Sequence, residues 1–282
     1  MLIISHSDGH GLIGAIRCKS FNFSGGETHV RIESDDLYDL KPDDCAFINI
    51  TAHLRSTEDV MELLMTTDAL RRRYSTFCKI DLEMPYLPYA RQDRVCFPGE
   101  AFALQVFCRL INAQGYNSVH VWDVHSGVAL NLLNSSYNVE ASTLIMPLKN
   151  ILKPNTIVVA PDLGAVTRAS QCSATLNLDL VKATKLRDPE TGEITGTLVD
   201  CEHVGDRDFI IVDDICDGGR TFIELAKVLR HLTTGDIYLY VTHGIFSAGF
   251  EALGNHIDHI WTANSFVPDH RLPTIVNVLR SK

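Results

Sequence analysis

Short apolar runs alternate along the chain with stretches whose apolar residues recur every three to four positions. In the first half, residues 45–50 (CAFINI), 80–85 and 119–124 (VHVWDV) read as strands. Residues 60–72, and 101–113 after the Pro98-Gly99 breaker, read as helices. The second half repeats the alternation. Strands are expected at 156–160, 178–183, 209–212 and 237–242, helices at 164–176 and 221–232, and a last short strand at 259–263. Strand–helix–strand order predicts mainly parallel sheets with helices on both faces. Two runs of similar length, joined near 138–147, predict an α/β chain of two tandem domains, 1–140 and 141–282. Residues 185–204 differ: Lys, Arg, Asp, Pro, Gly, Glu and Thr outnumber apolar residues there. That stretch reads as a long mobile loop or hairpin of the kind used as a lid.

Composition narrows the class. The 282 residues are 45% hydrophobic and 21% charged, which excludes a disordered, collagenous or coiled-coil chain. No apolar run reaches the length of a membrane span, and the opening MLIISHSDGHG reads as a strand and a turn rather than a signal peptide. Twenty-five basic against 35 acidic residues give a net charge of −10, and no basic patch suggests a grip on nucleic acid. The densest basic run, Arg71-Arg72-Arg73, ends a helical pattern, where cations suit the helix dipole. The eight cysteines form no CxxC pair and read as buried free thiols of a reducing, cytoplasmic compartment.

The strongest local signal is FIIVDDICDGGRT, residues 209–221. A buried strand ends in Asp213 and Asp214, a Gly-bearing turn (Asp217, Gly218, Gly219) follows, and a helix opens at Arg220 and Thr221. Open α/β sheets bind ligands at the carboxyl ends of their strands. A Gly turn before a helix presents bare N–H groups to a phosphate. The acids repel phosphate but accept hydrogen bonds from sugar hydroxyls or hold Mg²⁺. Together these parts describe a ribose-phosphate cradle.

This segment resembles the PRPP-binding motif of type I phosphoribosyltransferase folds. Further segments resemble ribose-phosphate pyrophosphokinases (PRPP synthetases). FSGGETHVRI from Phe23 is similar to their FSDGE segment, and MELLMTTDALR from Met61 to their MELLIMIDALKR helix. PYLPYARQDR from Pro85 is similar to PYFGYARQDR, DVHS from Asp123 to DLHA, and PDLGAVTRA from Pro161 to PDxGGVxRA. Lys185-Leu186-Arg187 stands where the family has KRR at the start of a flexible loop. Thr242-His243 and Asn264-Ser265 match minor family positions.

The resemblance implies two phosphoribosyltransferase-like domains, the first carrying ATP-binding segments, the second the cradle and a catalytic flexible loop at 185–204. It implies transfer of the β,γ-diphosphate of Mg-ATP to the C1 hydroxyl of a 5-phosphorylated ribose, with release of AMP. Lys185 and Arg187 alone read as solvated cations; the resemblance makes them the catalytic pair that neutralises the transferred diphosphate. Arg91, Gln92 and Arg94 alone read as surface ion pairs; the resemblance gives them, with Phe23 and Glu27, to ATP. Phe23 either stacks on adenine or packs in the core. His125 reads as structural by itself and as an ATP or Mg²⁺ contact in the family, and Asp162 as a second Mg²⁺ contact. A homo-oligomer, at least a dimer, is expected.

Three of the departures from the family bear on ligands. Gly25 replaces an acid of FSDGE, and Val95–Glu100 replaces a basic stretch that serves phosphate and ADP regulation. In the cradle, DGGRT replaces DTAGT, so Arg220 stands where the family has Gly. Arg220 either points outward or adds a cation for a larger group on O5, such as the diphosphate of ADP-ribose, whose product would be ADP-ribose 1-diphosphate for NAD salvage. Competing readings are a phosphoribosyltransferase that consumes PRPP and a non-catalytic regulator of the synthetase-associated kind.

Overall fold

The computed structural model describes residues 2–7, 13–35, 46–74, 77–187, 194–266 and 276–279, with backbone alone at 13, 34, 35, 185–187, 194 and 195. It divides into two compact units, Met1–Asn138 and Val139–Lys282. The first contains β1 (Leu2–Ser7), β2 (Ile13–Asn22), β3 (Thr28–Asp35), β4 (Phe47–Ala52), α1 (Thr57–Arg73), β5 (Lys79–Met84), α2 (Ala103–Asn112), β6 (Ser118–Trp122), α3 (Val128–Leu132) and β7 (Ser136–Val139). The second contains α4 (Ala141–Leu144), a 3₁₀ turn (Met146–Asn150), β8 (Ile157–Ala160), α5 (Val166–Leu176), β9 (Asp179–Arg187), β10 (Ile194–Val199), β11 (Phe209–Cys216), α6 (Arg220–Arg230), β12 (Ile237–Gly244), α7 (Glu251–Gly254), β13 (His259–Ala263) and β14 (Val276–Leu279).

Each unit holds one seven-stranded sheet, β3-β2-β1-β4-β5-β6-β7 and β10-β9-β8-β11-β12-β13-β14. Strand for strand the second order is the first shifted by seven. The two differ in one connection. In the second unit β8 crosses over through α5 into parallel β9. In the first, β1 pairs antiparallel with β2 and also lies antiparallel to β4.

That difference decides the layering. In the second unit α6 and α7 pack on one face of the sheet, and α4, the 3₁₀ turn and α5 pack on the other. Both faces are dry, and β8 is buried at every position, as a two-sided parallel strand requires. In the first unit α1, α2 and α3 share a single core with Ile48, Ile50, Ala52, Ile80, Leu82, Met84, Val119 and Val121. Among the described residues the expectation of helices on both faces is not met here, because β1 is followed by antiparallel β2 and not by a crossover helix and a parallel strand. The other face is polar instead. Thr51 donates to Glu83 (3.0 Å), Trp122 Nε1 donates to Glu83 (3.0 Å), and Asn117 and Ser118 donate to Asp81 (2.7 and 2.6 Å). The alternation of buried and open positions along β4 records the same one-sidedness.

Residues 185–187 continue β9, and Ile194–Val199 return as antiparallel β10, which agrees with the hairpin alternative for this stretch. Ile194, Thr195, Thr197 and Val199 are β-branched, which favours that strand. The last strand is β14, which lies parallel to β13 and beyond the strand expected as final. Among the cysteines, Cys78, Cys108, Cys172 and Cys216 are buried free thiols, while Cys96 is exposed; Cys45 lies outside the described residues. No helix among the described residues is long and apolar enough to cross a membrane.

Candidate active site

In the second unit β8, β9, β11, β12 and β13 run parallel, so their carboxyl ends share one edge. At that edge lie Asp162 after β8, the end of β9 with Lys185 and Arg187, and the turn from β11 into α6. The side chains of Lys185 and Arg187 lie outside the described part of the structure.

The β11–α6 turn is shaped by its glycines. Gly219 caps α6 with φ +79°, and a Cβ there would lie 3.0 Å from Leu253 Cδ2. Glycine is the residue that takes this backbone without strain. The Gly219 carbonyl accepts from Phe222 and Ile223 (3.0 and 3.1 Å). The backbone N–H groups of Gly218, Gly219, Arg220 and Thr221 have no backbone acceptor among the described residues. They open a helix of 11 residues and carry its partial positive charge. A Cβ at Gly218 would meet nothing within 4 Å, so this part of the turn faces open space. Arg220, the first residue of α6, is exposed. Asp217 accepts from the Ser247 hydroxyl at 2.5 Å, and the Cys216 carbonyl accepts from Ile245 and Phe246 (2.8 and 3.0 Å). The turn is thereby tied to the segment after β12.

Beside it stand the two acids. Asp214 is 6% exposed and Asp213 18% exposed, and Arg168 of α5 reaches both. Its Nη1 lies 3.5 Å from Asp213 Oδ1 and its Nη2 3.6 Å from Asp214 Oδ2. The Asp214 N–H donates to Asp213 Oδ1 at 2.9 Å. Burial, then the neighbouring Asp214 charge, push the Asp213 carboxyl up to about 8, against the pull of Arg168. Burial likewise pushes the Cys216 thiol up to about 12, so it is no nucleophile at neutral pH.

Arg168 was not singled out in the sequence. An arginine in an amphipathic helix reads as a surface charge, and its partners lie 45 residues away. Thr242-His243 and Asn264-Ser265 were noted only as separate pairs. In the fold Ser265 donates to the Thr242 carbonyl (2.7 Å), which spends its one proton. It must therefore accept from His243 Nδ1–H at 2.9 Å, which fixes the ring beside the end of β11.

In the first unit β4, β5 and β6 run parallel and β2 points the same way, being antiparallel to β1, which is antiparallel to β4. The β2–β3 turn with Phe23 and Glu27, the segment after β5 with Arg91, Gln92 and Arg94, and His125 after β6 therefore lie at one sheet edge. Phe23 is 55% exposed, which sets aside the core alternative, and meets Phe21 edgewise (centroids 5.4 Å) and His29 at a tilt (5.8 Å). A Cβ on Gly25 would lie 2.5 Å from Glu27 Oε2, the end of an exposed side chain that has room to move aside. Arg91, Gln92, Arg94, Glu27 and His125 are exposed. Arg94 lies 3.6 Å from Asp93. In the departing stretch, Glu100 accepts from the N–H groups of Cys96 and Phe97 (2.9 and 3.1 Å).

The helix N-terminus that corresponds to the cradle is plugged in this unit. Asp59 Oδ2 accepts from the N–H groups of Arg55 (2.7 Å) and Ser56 (2.9 Å) and closes a capping box with Ser56. Burial raises the Asp59 carboxyl, and the donated hydrogen bonds outweigh it and hold it below the usual range.

Among the described residues no three His, Cys, Asp or Glu side chains gather as a metal cage. Asp162 offers a carboxylate whose Oδ1 accepts from Gly164 (3.0 Å) and Ala165 (3.3 Å), and His125 an exposed ring in the other unit. A single carboxylate such as Asp162 suits Mg²⁺, which keeps waters and takes most ligands from substrate phosphates.

Two family models match. One, described as the N-terminal domain of ribose phosphate pyrophosphokinase, covers residues 11–115, and a phosphoribosyl transferase domain covers 148–243. A ribose-phosphate pyrophosphokinase of Thermococcus kodakarensis is 30% identical over 261 residues, spanning 92% of this chain and 89% of that protein. One of Pyrococcus furiosus is 29% identical over 263 residues, spanning 91% and 90%. The crystal structure of phosphoribosylpyrophosphate synthetase from Mycobacterium smegmatis shares the fold with a TM-score of 0.77, at 22% identity, over 94% of this chain and 86% of that one. With both halves matched in order and relatives aligned over nearly their whole length, the chain belongs to the ribose-phosphate pyrophosphokinase family of transferases.

Proposed function

We propose that the protein transfers the β,γ-diphosphate of Mg-ATP to the C1 hydroxyl of a 5-phosphorylated ribose and releases AMP. One observation carries the reading: the run of open N–H groups at 218–221 beside an acid pair held by an arginine. Phosphate suits the N–H run, and a sugar diol suits the acids. In the transfer, the C1 oxygen bonds to the β-phosphorus, the bond from that phosphorus to the bridging oxygen of the α-phosphate breaks, and AMP leaves as the hydroxyl proton is lost.

Asp213 and Asp214 hold the ribose hydroxyls, while Asp217, Gly218, Gly219, Arg220 and Thr221 hold the 5-phosphate. Lys185 and Arg187 at the end of β9 neutralise the moving diphosphate. Phe23, Glu27, Arg91, Gln92, Arg94 and His125 receive ATP. Asp162 and His125 would hold Mg²⁺, which supplies charge neutralisation on the phosphates. The free thiols support a reducing, cytoplasmic setting. A homo-oligomer of at least two chains would let the ATP segments of one copy serve another.

A second acceptor is favoured by the turn itself. Gly218 opens onto free space and Arg220 sits exposed at the helix start, where the family has Thr and Gly. Lost bulk and an added cation suit ADP-ribose, whose O5 carries a diphosphate. Mg-ATP offered with ribose 5-phosphate or with ADP-ribose, with AMP release measured, tests both. AMP from either supports transfer, and the faster acceptor identifies the substrate. Base-dependent release of pyrophosphate from PRPP would favour a phosphoribosyltransferase, and Mg-ATP binding without AMP on any acceptor would favour a regulator.

A further inference from the structure

The β2–β3 hairpin has two faces of opposite character. Its register sets Cys18 opposite Ile32, Ser20 opposite Val30, Lys19 opposite Arg31, and Phe21 opposite His29. Alternate strand positions point to opposite faces. On the inner face Val30 is buried, and Cys18 and Ile32 pack against the core shared with α1. Asn22, also on that face, donates to Glu58 in the first turn of α1. The outer face holds Lys19, Phe21, His29 and Arg31, all exposed, and Phe23 joins them from the turn. The rings of Phe21, Phe23 and His29 form a closed triangle, with centroids 5.4, 5.2 and 5.8 Å apart. One step along the same face, Lys19 and Arg31 stand directly across from each other. Arg31 lies 4.0 Å from Glu33 with both side chains exposed, a pair too weak to withdraw the cation from a ligand.

This arrangement matches a nucleotide. Two strand residues span about 7 Å, which suits a nucleoside from base to phosphate. A base stacks on exposed rings, and two facing cations converge on one phosphoryl group. Two cations on a chain of net charge −10 are too few to grip a polynucleotide backbone. The rings stand at the turn, and the cations lie down the strands, away from the sheet edge that carries Arg91, Gln92 and Arg94. A nucleotide bound this way therefore points its phosphate away from that edge.

We propose that the outer face of this hairpin is a second nucleotide site, which holds a nucleoside monophosphate with its base on Phe21, Phe23 and His29 and its phosphate between Lys19 and Arg31, and that this occupant excludes ATP from Phe23. The inference rests on Phe23 as part of the ATP site, and it deepens that reading by naming a regulation of it. The AMP that the transfer releases is such a nucleotide, and bound here it delays the next ATP.

The probe is AMP, and the variant is the double substitution Lys19→Gln, Arg31→Gln, at two side chains that stand in solvent. AMP is titrated calorimetrically into both full chains, and its inhibition of transfer is measured against ATP by following the diphosphorylated sugar product. In the wild type AMP should bind and should inhibit competitively with ATP. In the double variant its affinity and its inhibition constant should weaken by roughly tenfold or more, the worth of hydrogen bonds between cations and a phosphate. The KM for ATP and kcat should stay within about twofold. A wild type that does not bind AMP, or AMP binding unchanged in the double variant, overturns the proposal. A KM for ATP that rises in parallel also overturns it, because the cations then serve the substrate's own phosphates. Phe21→Leu is an independent arm. It should weaken AMP by about fivefold or more, and full AMP affinity in it refutes the ring platform. An oligoadenylate that binds the wild type more than about tenfold tighter than AMP marks a polynucleotide surface and overturns the single-nucleotide site. If the wild type makes no product on either acceptor the transfer reading fails, and the calorimetric arm still decides whether the hairpin holds AMP.

Discussion

Replacing Asp213 by Asn should make the fold more stable while it weakens the acceptor site. In the native chain the Asp213 carboxyl stands at about 8, against 3.8 for an ordinary aspartate. Burial is the first cause and the Asp214 charge the second, with Arg168 opposing both. Because the native value is raised, the stability associated with this group is complete below about pH 4 and is lost as pH rises towards 8. At ~1.4 kcal/mol per unit, the loss at pH 7 would be about 4 kcal/mol if Asp213 bore it alone. Asp214 shares the titration and the side chain is 18% exposed. The expected gain for Asp213→Asn is therefore about 1–3 kcal/mol at pH 7. Asn keeps an oxygen for the Asp214 N–H, so the strand end stays tied. For a chain of this size that is several degrees in melting temperature, at ~2–4 °C per kcal/mol. Thermal melts of both proteins at pH 5, 7 and 9 make the comparison. The variant's advantage should be small at pH 5, grow towards pH 8 and then level off. An advantage that is the same at pH 5 and pH 9, or a variant that melts lower throughout, would refute the reasoning.

Gly244→Ala should destabilise by about 3 kcal/mol, because its Cβ would fall well inside contact distance of a buried ring. The new atom would lie 2.1 Å from Phe246 Cε2, and that ring is 6% exposed and packed on Phe250. Urea midpoints measure the loss, and Phe246→Leu in the same chain should recover part of it. Lys185→Ala and Arg187→Ala should each cut the rate of AMP release by roughly a hundredfold or more while the KM for either substrate changes by less than about fivefold. Unchanged turnover in both would remove the proposed catalytic pair.

Much of this was legible in the sequence for a plain reason. Strand β11 is an apolar run that stops at two acids, and a helix buried along Phe222, Leu225, Ala226 and Leu229 follows a glycine turn. Such signals are local, and so is the turn they build. What stayed hidden was either non-local or weakly patterned. Arg168 joins Asp213 and Asp214 only once α5 lies on the sheet, and Ser265 meets His243 across two strands. Strands β2 and β3 carry charge and hydroxyls on an open hairpin, so no apolar run announced them.

Among the described residues the first sheet has helical cover on one side only, whereas the second is sandwiched. Local opening is easiest where few apolar contacts resist it. The amide protons of β4, β5 and β6 should thus trade for deuterium sooner than those of β8, β11 and β12. The unit that holds Phe23, Arg91 and His125 is then the more pliant of the two, and the unit that holds the β11–α6 turn the stiffer.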